Sequence, residues 1–288
     1  MTQLPTSELH ILSQLVKSTS EHSERYAEEK GKPIKKTSKM QIKLLSMYPF
    51  RSFFFEMFLW IRFIYSKEIK KSMCGIIGVF NNKESKKIVK SGLKIMENRG
   101  KDASDFKEIE NNSCIGHNLH AIIDLVKQPI KEDNNLIVAN CEIYNWKELN
   151  NKYNLNAKND AHLLLKLINK KGTNKIKEIL EELDGVYAFC YYNKEQNKAI
   201  LARDLIGVKP LWFSFSSFLA FASEKKALLK NNLYDVIELN PRKIIEYNLT
   251  NNSLKYTNRE FFKIKKEYSF PLKQIKKQTL NLIKKAIE

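Results

Sequence analysis

The chain has 288 residues, 43% of them apolar, and carries 50 Lys and Arg against 32 Asp and Glu, a net charge of +18. This apolar content can fill a buried core, so the composition excludes a disordered chain. The cations form no single patch, because residues 1–72 hold 13 Lys and Arg against 7 Asp and Glu and the other cations are scattered among asparagines. We therefore expect no nucleic-acid partner.

Residues 1–72 differ in amino-acid composition from the rest of the chain. They begin polar and end in an aromatic stretch from Tyr48 to Tyr65, which Arg51, Glu56 and Arg62 interrupt. The stretch therefore lacks the roughly 20 apolar residues of a membrane-spanning helix, and it lies too far from the start for a secretory signal. An interfacial helix stays open as an alternative. We predict that residues 1–72 are a leader, an upstream extension or the result of a mis-set start, outside the working domain.

From Met73 onward the sequence alternates short apolar runs with Asn, Asp and Gly turns. Strands are predicted at 74–80, 114–117, 120–123, 136–141, 186–192, 198–203, 211–215, 218–222 and 243–249. Helical periodicity covers 85–97, 160–170 and 174–183. Many strands, few helices and no steady βαβ alternation predict an α+β fold with antiparallel sheets.

A last helix is predicted over residues 271–287. It starts with a proline at a helix-start position and keeps an amphipathic rhythm, with no stop signal after it. We expect residues 266–288 to be a linker and the first, truncated helix of a further domain.

The four cysteines are Cys74, Cys114, Cys141 and Cys190. Each lies in or beside an apolar strand-like run, with no Cys-x-x-Cys pair and no histidine at metal-ligand spacing. We expect no metal site and a reducing, cytoplasmic location.

Cys74 stands out because it directly follows Met73 and precedes an apolar run, Gly-Ile-Ile-Gly-Val-Phe. A cysteine at a chain terminus lies beside its own α-amine, whose pKa of about 7.7 lets it act as a general base at neutral pH. Inside a longer chain that amine is an amide and the base is lost. A buried strand cysteine is the alternative reading of this segment alone.

Four further motifs follow in order: Asn-Cys-Glu-Ile-Tyr-Asn at 140–145, Asp-Gly-Val-Tyr-Ala-Phe at 184–189, Ala-Arg-Asp-Leu-Ile-Gly-Val-Lys-Pro-Leu at 202–211, and Phe-Ala-Ser-Glu-Lys-Lys-Ala-Leu at 221–228. Together with the Cys74 segment they resemble the glutaminase domain of class II glutamine amidotransferases, most closely that of glutamine-hydrolysing asparagine synthetases, over residues 73–265. Asn-Arg-Gly-Lys-Asp at 98–102 resembles the family's His-Arg-Gly-Pro-Asp loop. The resemblance implies a four-layer αββα sandwich of the N-terminal nucleophile (Ntn) hydrolase type.

The resemblance also implies roles for single residues. Cys74 would be the nucleophile, and the Asn140 side chain and the Cys141 N–H would stabilise the oxyanion, although the family usually has glycine at position 141. Glu142 and Asp160 would hold the α-amine of glutamine. Asp160 also has an ordinary reading as the cap of the following helix.

The α-carboxylate of glutamine would contact the segment formed by Leu119, His120, Ala121, Ile122 and Ile123. The family's carboxylate-binding arginine falls on Leu119, which cannot hold a charge. Backbone groups of this segment, His120 or Arg99 would have to substitute, and we expect weakened glutamine binding.

We interpret the charged segment of Arg203, Asp204, Lys209 and Pro210 as a structural turn.

The function that the resemblance implies is the glutaminase half of an asparagine-synthetase-type enzyme, which needs no cofactor of its own. ATP and Mg would serve only a synthetase domain or subunit, whose Ser-Gly-Gly-Leu-Asp-Ser phosphate loop does not occur in the sequence.

Three alternatives stay open beside this reading. The domain could serve another class II amidotransferase. It could be a catalytically silent glutamine-binding or regulatory module, if residues 1–72 stay attached. A homodimer also stays open.

Overall fold

The computed structural model of the protein describes residues 73–121, 126–260 and 271–287. The predictions for residues 1–72, for the linker at 266–270, and for Ile122 and Ile123 lie outside the described residues. The strands are β1 (Gly75–Phe80), β2 (Ala103–Ile109), β3 (Ser113–Leu119), β4 (Ile130–Glu132), β5 (Asn135–Ile143), β6 (Gly185–Asn193), β7 (Lys198–Arg203), β8 (Trp212–Phe215), β9 (Leu219–Ala222), β10 (Ile237–Glu238), β11 (Lys243–Asn248) and β12 (Ser253–Asn258). The helices are α1 (Ser85–Ile95), α2 (Trp146–Tyr153), α3 (Asp160–Lys171), α4 (Ile176–Glu182), α5 (Lys225–Leu229) and α6 (Leu272–Ile287), with a 3₁₀ turn at Thr173–Lys175.

The strands form two six-stranded sheets in which the paired strands run antiparallel. One sheet has the order β10-β8-β9-β1-β3-β2 and the other β12-β11-β7-β6-β5-β4. The predicted α+β class with antiparallel sheets is therefore confirmed.

Strand β1 shows how the apolar sequence builds the core. Its residues are all buried, and successive side chains face opposite sides of the sheet. Ile76 and Phe80 belong to a cluster shared by the two sheets, whereas Ile77 and Val79 pack with α1 and α5. A third cluster joins the other sheet to helices α2, α3 and α4. A continuous apolar run is needed because both faces of β1 are covered.

Strand β3 contains the strand predicted at 114–117 and ends at Leu119. Of the strand predicted at 120–123, only His120 and Ala121 are described, and neither lies in a strand. The backbone of His120 cannot continue the ladder, since its N–H and C=O contact the sulfur of Cys74 instead.

The helix predicted from residue 160 does begin at Asp160, but the reading of Asp160 as its N-cap needs correction. Asn159, in an extended conformation, is the N-cap of α3 and accepts a hydrogen bond from the His162 N–H at 2.8 Å. Asp160 is the first helical residue, so its carboxylate is free for other contacts.

Helix α6 confirms the helical pattern at the end of the chain, and the side chains of residues 272–284 are exposed. None of the helices that the structure describes combines the length and the apolar character needed to cross a membrane.

Candidate active site

Cys74 lies directly before β1, and its sulfur is held by the backbone of His120. The His120 N–H donates to Cys74 Sγ at 3.4 Å, and Sγ lies 3.6 Å from the His120 carbonyl oxygen. On the other side, Arg99 Nε donates to the Cys74 carbonyl oxygen at 3.0 Å. Residue 74 is thus fixed both at its main chain and at its sulfur.

The surroundings of Cys74 set the protonation state of its thiol. Burial raises the pKa of Cys74 above its ordinary value, and the negative charge of Asp160 adds to this. The backbone contact with His120 and the positive charges of Lys209 and Arg99 act in the opposite direction. The net direction is upward, so the thiol is protonated at neutral pH and needs a base before it can attack.

Arg99 links Cys74 to the strand on the other side of β1. Its guanidinium is buried, and Nη1 lies 3.4 Å from Glu224 Oε1. Burial lowers the pKa of Arg99, while Glu224 acts against this. Glu224 follows Ser223, whose hydroxyl accepts from the Ile76 N–H at 3.0 Å. The Ser-Glu pair of the 221–228 motif therefore holds the start of β1 and, through Arg99, the main chain of Cys74.

The Asn-Arg-Gly-Lys-Asp loop packs tightly against the end of β3. A Cβ on Gly100 would lie 2.5 Å from the Leu119 carbonyl carbon, which only a glycine avoids. Asp102 accepts from the Ala121 N–H at 2.7 Å and lies 3.4 Å from His120 Nδ1. This loop therefore positions both the His120 backbone and the carbonyl of Cys74.

Strand β5 supplies two donor groups that match the predicted oxyanion site. The Asn140 side chain is buried, and its Nδ2 has no hydrogen-bond partner in the described part of the chain. A buried amide donor without a partner is costly and calls for an explanation, which the predicted role as an oxyanion donor would supply.

The second donor is the N–H of Cys141. At the edge of β5 that faces away from β6, the N–H groups of Ala139 and Ile143 donate to the side chains of Gln128 and Asp160, respectively. Alternate residues of a strand share a hydrogen-bonding edge, so the Cys141 N–H points to this same edge. As a backbone donor it does not need glycine at position 141.

Asp160 lies at the same end of β5. Its carboxylate accepts from the Ile143 N–H at 3.1 Å and from the Ala161 N–H at 2.8 Å. Burial raises the pKa of Asp160, and hydrogen bonds from both N–H groups and from the Cys141 thiol oppose this. The pKa of the Cys141 thiol is raised well above its ordinary value by burial, then by the charges of Asp160 and Cys74. The structure thus brings Cys74, Cys141 and Asp160 within electrostatic range of one another.

The other predicted substrate contacts are placed as follows. Glu142 is exposed, and strand alternation puts it on the same face of β5 as Asn140. Leu119 is buried, with 6% of its surface exposed, and pairs with Ala103 of β2. His120 contacts the Cys74 sulfur through its backbone, and the Ala121 N–H donates to Asp102. The substrate roles of these residues stay predictions.

The charged turn after β7 is structural, as predicted. The guanidinium of Arg203 donates to Glu238 at 2.7 Å, and Asp204 accepts from the N–H groups of Val208 and Lys209 at 2.8 and 3.0 Å. Lys209 also has a role that the sequence reading missed. Its Nζ lies 3.6 Å from Met73 Sδ, so its charge is near the nucleophile.

Two other residues of the site were not identified from the sequence. Glu224 lies in the 221–228 motif, but that pattern alone indicates no role for it. Gln128 belongs to no motif. The sequence offers no signal for Gln128, because a glutamine in a polar connection is ordinarily exposed.

This fold and this cysteine-centred site are those of a glutamine amidotransferase domain. Residues 73–279 match the glutamine amidotransferase domain family, and the chain belongs to that family.

The curated relatives are glutamine-hydrolysing asparagine synthetases. The chain is 35% identical over 185 residues to the asparagine synthetase 1 named for Methanocaldococcus jannaschii, and the match covers 54% of this chain and 33% of the relative. It is 30% identical over 171 residues to asparagine synthetase B of Escherichia coli, covering 54% of this chain and 30% of the relative. The chain thus spans about a third of the length of these relatives.

The fold is similar to that of a solved glutamine phosphoribosylpyrophosphate amidotransferase from B. subtilis. The TM-score is 0.56 at 21% sequence identity, and the match covers 64% of this chain and 49% of that one.

Proposed function

We propose that the domain hydrolyses glutamine to glutamate and ammonia through a thioester on Cys74, once Cys74 is the first residue. The observation that carries the proposal is a backbone-held sulfur at the head of β1 together with a buried amide donor on β5, Asn140 Nδ2, that has no partner in the described fold. Because burial raises the pKa of the Cys74 thiol, attack at neutral pH needs a neighbouring base, which a free α-amine would supply.

The reaction begins with attack of Cys74 Sγ on the side-chain amide carbon of glutamine. The C–S bond forms, the carbonyl oxygen becomes negative, and Asn140 Nδ2 and the Cys141 N–H donate to it. The α-amine of Cys74 takes the thiol proton and passes it to the leaving nitrogen, so the C–N bond breaks and ammonia departs. Water then attacks the thioester with the same amine as base, which releases glutamate and restores the thiol.

Glutamine would be held at its α-amine by Asp160 and Glu142 and at its α-carboxylate by backbone groups near His120. Leu119 supplies no charge to the carboxylate. We therefore expect a higher KM for glutamine than an arginine at position 119 would give, since a charge-assisted contact worth roughly 1.5–3 kcal/mol is lost.

The finer description of the fold and its partner belongs to the same proposal. We infer a four-layer αββα sandwich of the Ntn hydrolase type, which the three separate apolar clusters support. Ammonia would pass to an ATP-dependent synthetase domain or subunit, toward which residues 266–288 would lead. That domain or subunit, and not the glutaminase domain, would bind ATP and Mg. A reducing cytosol suits the four free cysteines.

The test compares the chain that begins at Cys74 with the chain that begins at Met1, measuring glutamate released from glutamine. We expect activity only in the first, because only there is the α-amine free. Cys74→Ala should abolish glutamate release, whereas Cys114→Ala and Cys190→Ala, at buried cysteines, should cost only packing, on the order of 1 kcal/mol.

Equal rates from the two chains would contradict the role of the amine, and loss of activity in Cys190→Ala alone would contradict the choice of nucleophile. Mass spectrometry of the natural N-terminus is the companion measurement. A first residue of Met1 or Thr2, without glutaminase activity, would support the silent module instead.

A further inference from the structure

Strand β5 has a free edge at the point where the predicted oxyanion donors lie. Its neighbour β4 pairs only with residues 135–137, through Ile130↔Ile137, Lys131↔Leu136 and Glu132↔Asn135. Beyond Ile137 none of the described strands covers this edge, so the N–H and C=O of Ala139 need other partners.

The side chain of Gln128 takes the place of the absent strand. The Ala139 N–H donates to Gln128 Oε1 at 2.7 Å, and Gln128 Nε2 donates to the Ala139 carbonyl oxygen at 3.0 Å. Both bonds are buried, and only 6% of the Gln128 surface is exposed. The amide thus imitates one residue of a paired strand, with both of its polar ends used.

The Ala139 carbonyl oxygen has a second contact, which comes from the other sheet and is the third hydrogen bond of this residue. His117 of β3 lies with its Nε2 3.2 Å from the Ala139 carbonyl oxygen. Because a carbonyl oxygen only accepts, Nε2 must carry the proton, and the buried Nδ1 is left without a partner among the described residues. Burial lowers the pKa of His117 to about 4, so the ring stays neutral at physiological pH.

We propose that Gln128 and His117 are positioning residues of the oxyanion site: they hold the Ala139 peptide and thereby orient Asn140 and the Cys141 N–H, which follow directly. The inference rests on the proposed function. Preorganised donors lose their effect when they shift by fractions of an ångström, so the bonds at Ala139 should act on the rate of the chemical step.

The test uses the chain that begins at Cys74 with Gln128→Met, which keeps the length of the side chain and removes both hydrogen bonds. We expect kcat for glutamine hydrolysis to fall about tenfold or more with KM changed less than about twofold. Gln128→Asn is the second variant, for the case that Gln128→Met does not fold. It keeps an amide but is one methylene shorter, so it cannot bond both the N–H and the C=O of Ala139, and it should show the same split.

The matched control is Asn81→Asp at the opposite end of β1. Asn81 Nδ2 also makes two bonds, to Tyr247 Oη at 2.9 Å and to the Leu249 carbonyl oxygen at 2.7 Å. Its loss should lower the melting temperature and leave kcat unchanged.

A second readout does not require turnover. A chloroketone analogue of glutamine develops negative charge on its carbonyl oxygen as Cys74 adds, whereas iodoacetamide alkylates the sulfur without such an oxyanion. We expect Gln128→Met to slow the first reaction about tenfold and to leave the second unchanged.

An active wild type with kcat unchanged in both Gln128 variants would overturn this inference alone. Equal slowing of both reagents would overturn it as well, since the residue would then act on the thiol and not on the oxyanion. A wild type that neither hydrolyses glutamine nor reacts with the analogue, yet is alkylated by iodoacetamide, would overturn the proposed function and this inference with it.

Discussion

At the scale of single residues, the site depends on groups whose hydrogen-bonding capacity is left open. Most buried polar groups in a protein are paired, so the unpartnered Asn140 Nδ2 is informative. Asn118, on β3, is the useful contrast, because its Nδ2 donates to the Leu93 carbonyl oxygen at 2.8 Å. The fold thus uses the side-chain N–H groups of Asn118, whereas those of Asn140 find no partner among the described residues.

This contrast predicts opposite effects for two alanine substitutions. Asn140→Ala should lower kcat by about 10² or more with little change in KM, as expected for a donor to the oxyanion, and should cost little stability. Asn118→Ala should retain kcat and lose about 1 kcal/mol of unfolding free energy. Steady-state kinetics and urea denaturation measure both. An effect of Asn140→Ala on KM alone would make it a binding residue only.

The raised pKa of Cys74 predicts how its reactivity depends on pH. In the chain that begins at Met1, the thiolate fraction is small at neutral pH, so alkylation by iodoacetamide should keep rising to beyond pH 9. In the chain that begins at Cys74, the α-amine can take the proton, and the rate should level off near its pKa of about 7.7. Peptide mass mapping separates Cys74 from the other cysteines. Superimposable profiles would mean that the amine does not assist.

At the scale of elements, one carboxylate, that of Glu182, links helices α2, α3 and α4 by hydrogen bonds and ion pairs. Glu182 of α4 accepts from Lys152 Nζ at 2.9 Å and from Tyr153 Oη at 2.7 Å, both on α2, and pairs with Lys171 of α3. These contacts, that with Lys171 first, lower the pKa of Glu182 to about 2. Helix α3 carries Asp160, so this cluster also supports the site.

A lowered carboxyl pKa stabilises the fold above the unfolded-state value, about 4.3, and this stabilisation is lost as pH falls toward 2. Glu182→Gln should therefore reduce the unfolding free energy by about 0.5–1 kcal/mol at pH 7 and make no difference near pH 2. Glu181→Gln, at an exposed neighbour, is the control and should change little at either pH. A deficit that persisted at pH 2 would show that packing, and not charge, was lost.

At the scale of the whole molecule, the three apolar clusters that the described residues form all lie between Ile76 and Leu254. A core that is complete within this span should not need the segments on either side. We predict that residues 74–260 alone unfold in one cooperative transition, with a melting temperature within a few degrees of that of the longer chain. Circular dichroism and calorimetry measure this. Loss of the transition would show that an outer segment completes the core.

The sequence determined the elements whose physics is local. Strands covered on both faces, such as β1 and β6, need uninterrupted apolar runs, and helices α1 and α3 need an apolar stripe at a 3.6-residue period, so both were predictable within a few residues. Strands β2 and β12 were not, because sheet edges carry charged and polar residues that resemble loops. Helix α2 was missed as well, since its sequence is mostly polar and only Leu149 is buried.

The same division holds for the site. Cys74 and Asn140 could be singled out because they lie in ordered motifs that resemble a known family, and Asp160 because the same resemblance gives its position a role. Only the tertiary structure decided that Arg99, paired with Glu224, holds the Cys74 carbonyl and that Gln128 bonds the edge of β5, since each acts on a group from a distant part of the chain or another strand. Such pairings depend on which backbone groups the fold leaves without a partner, and no local pattern encodes that.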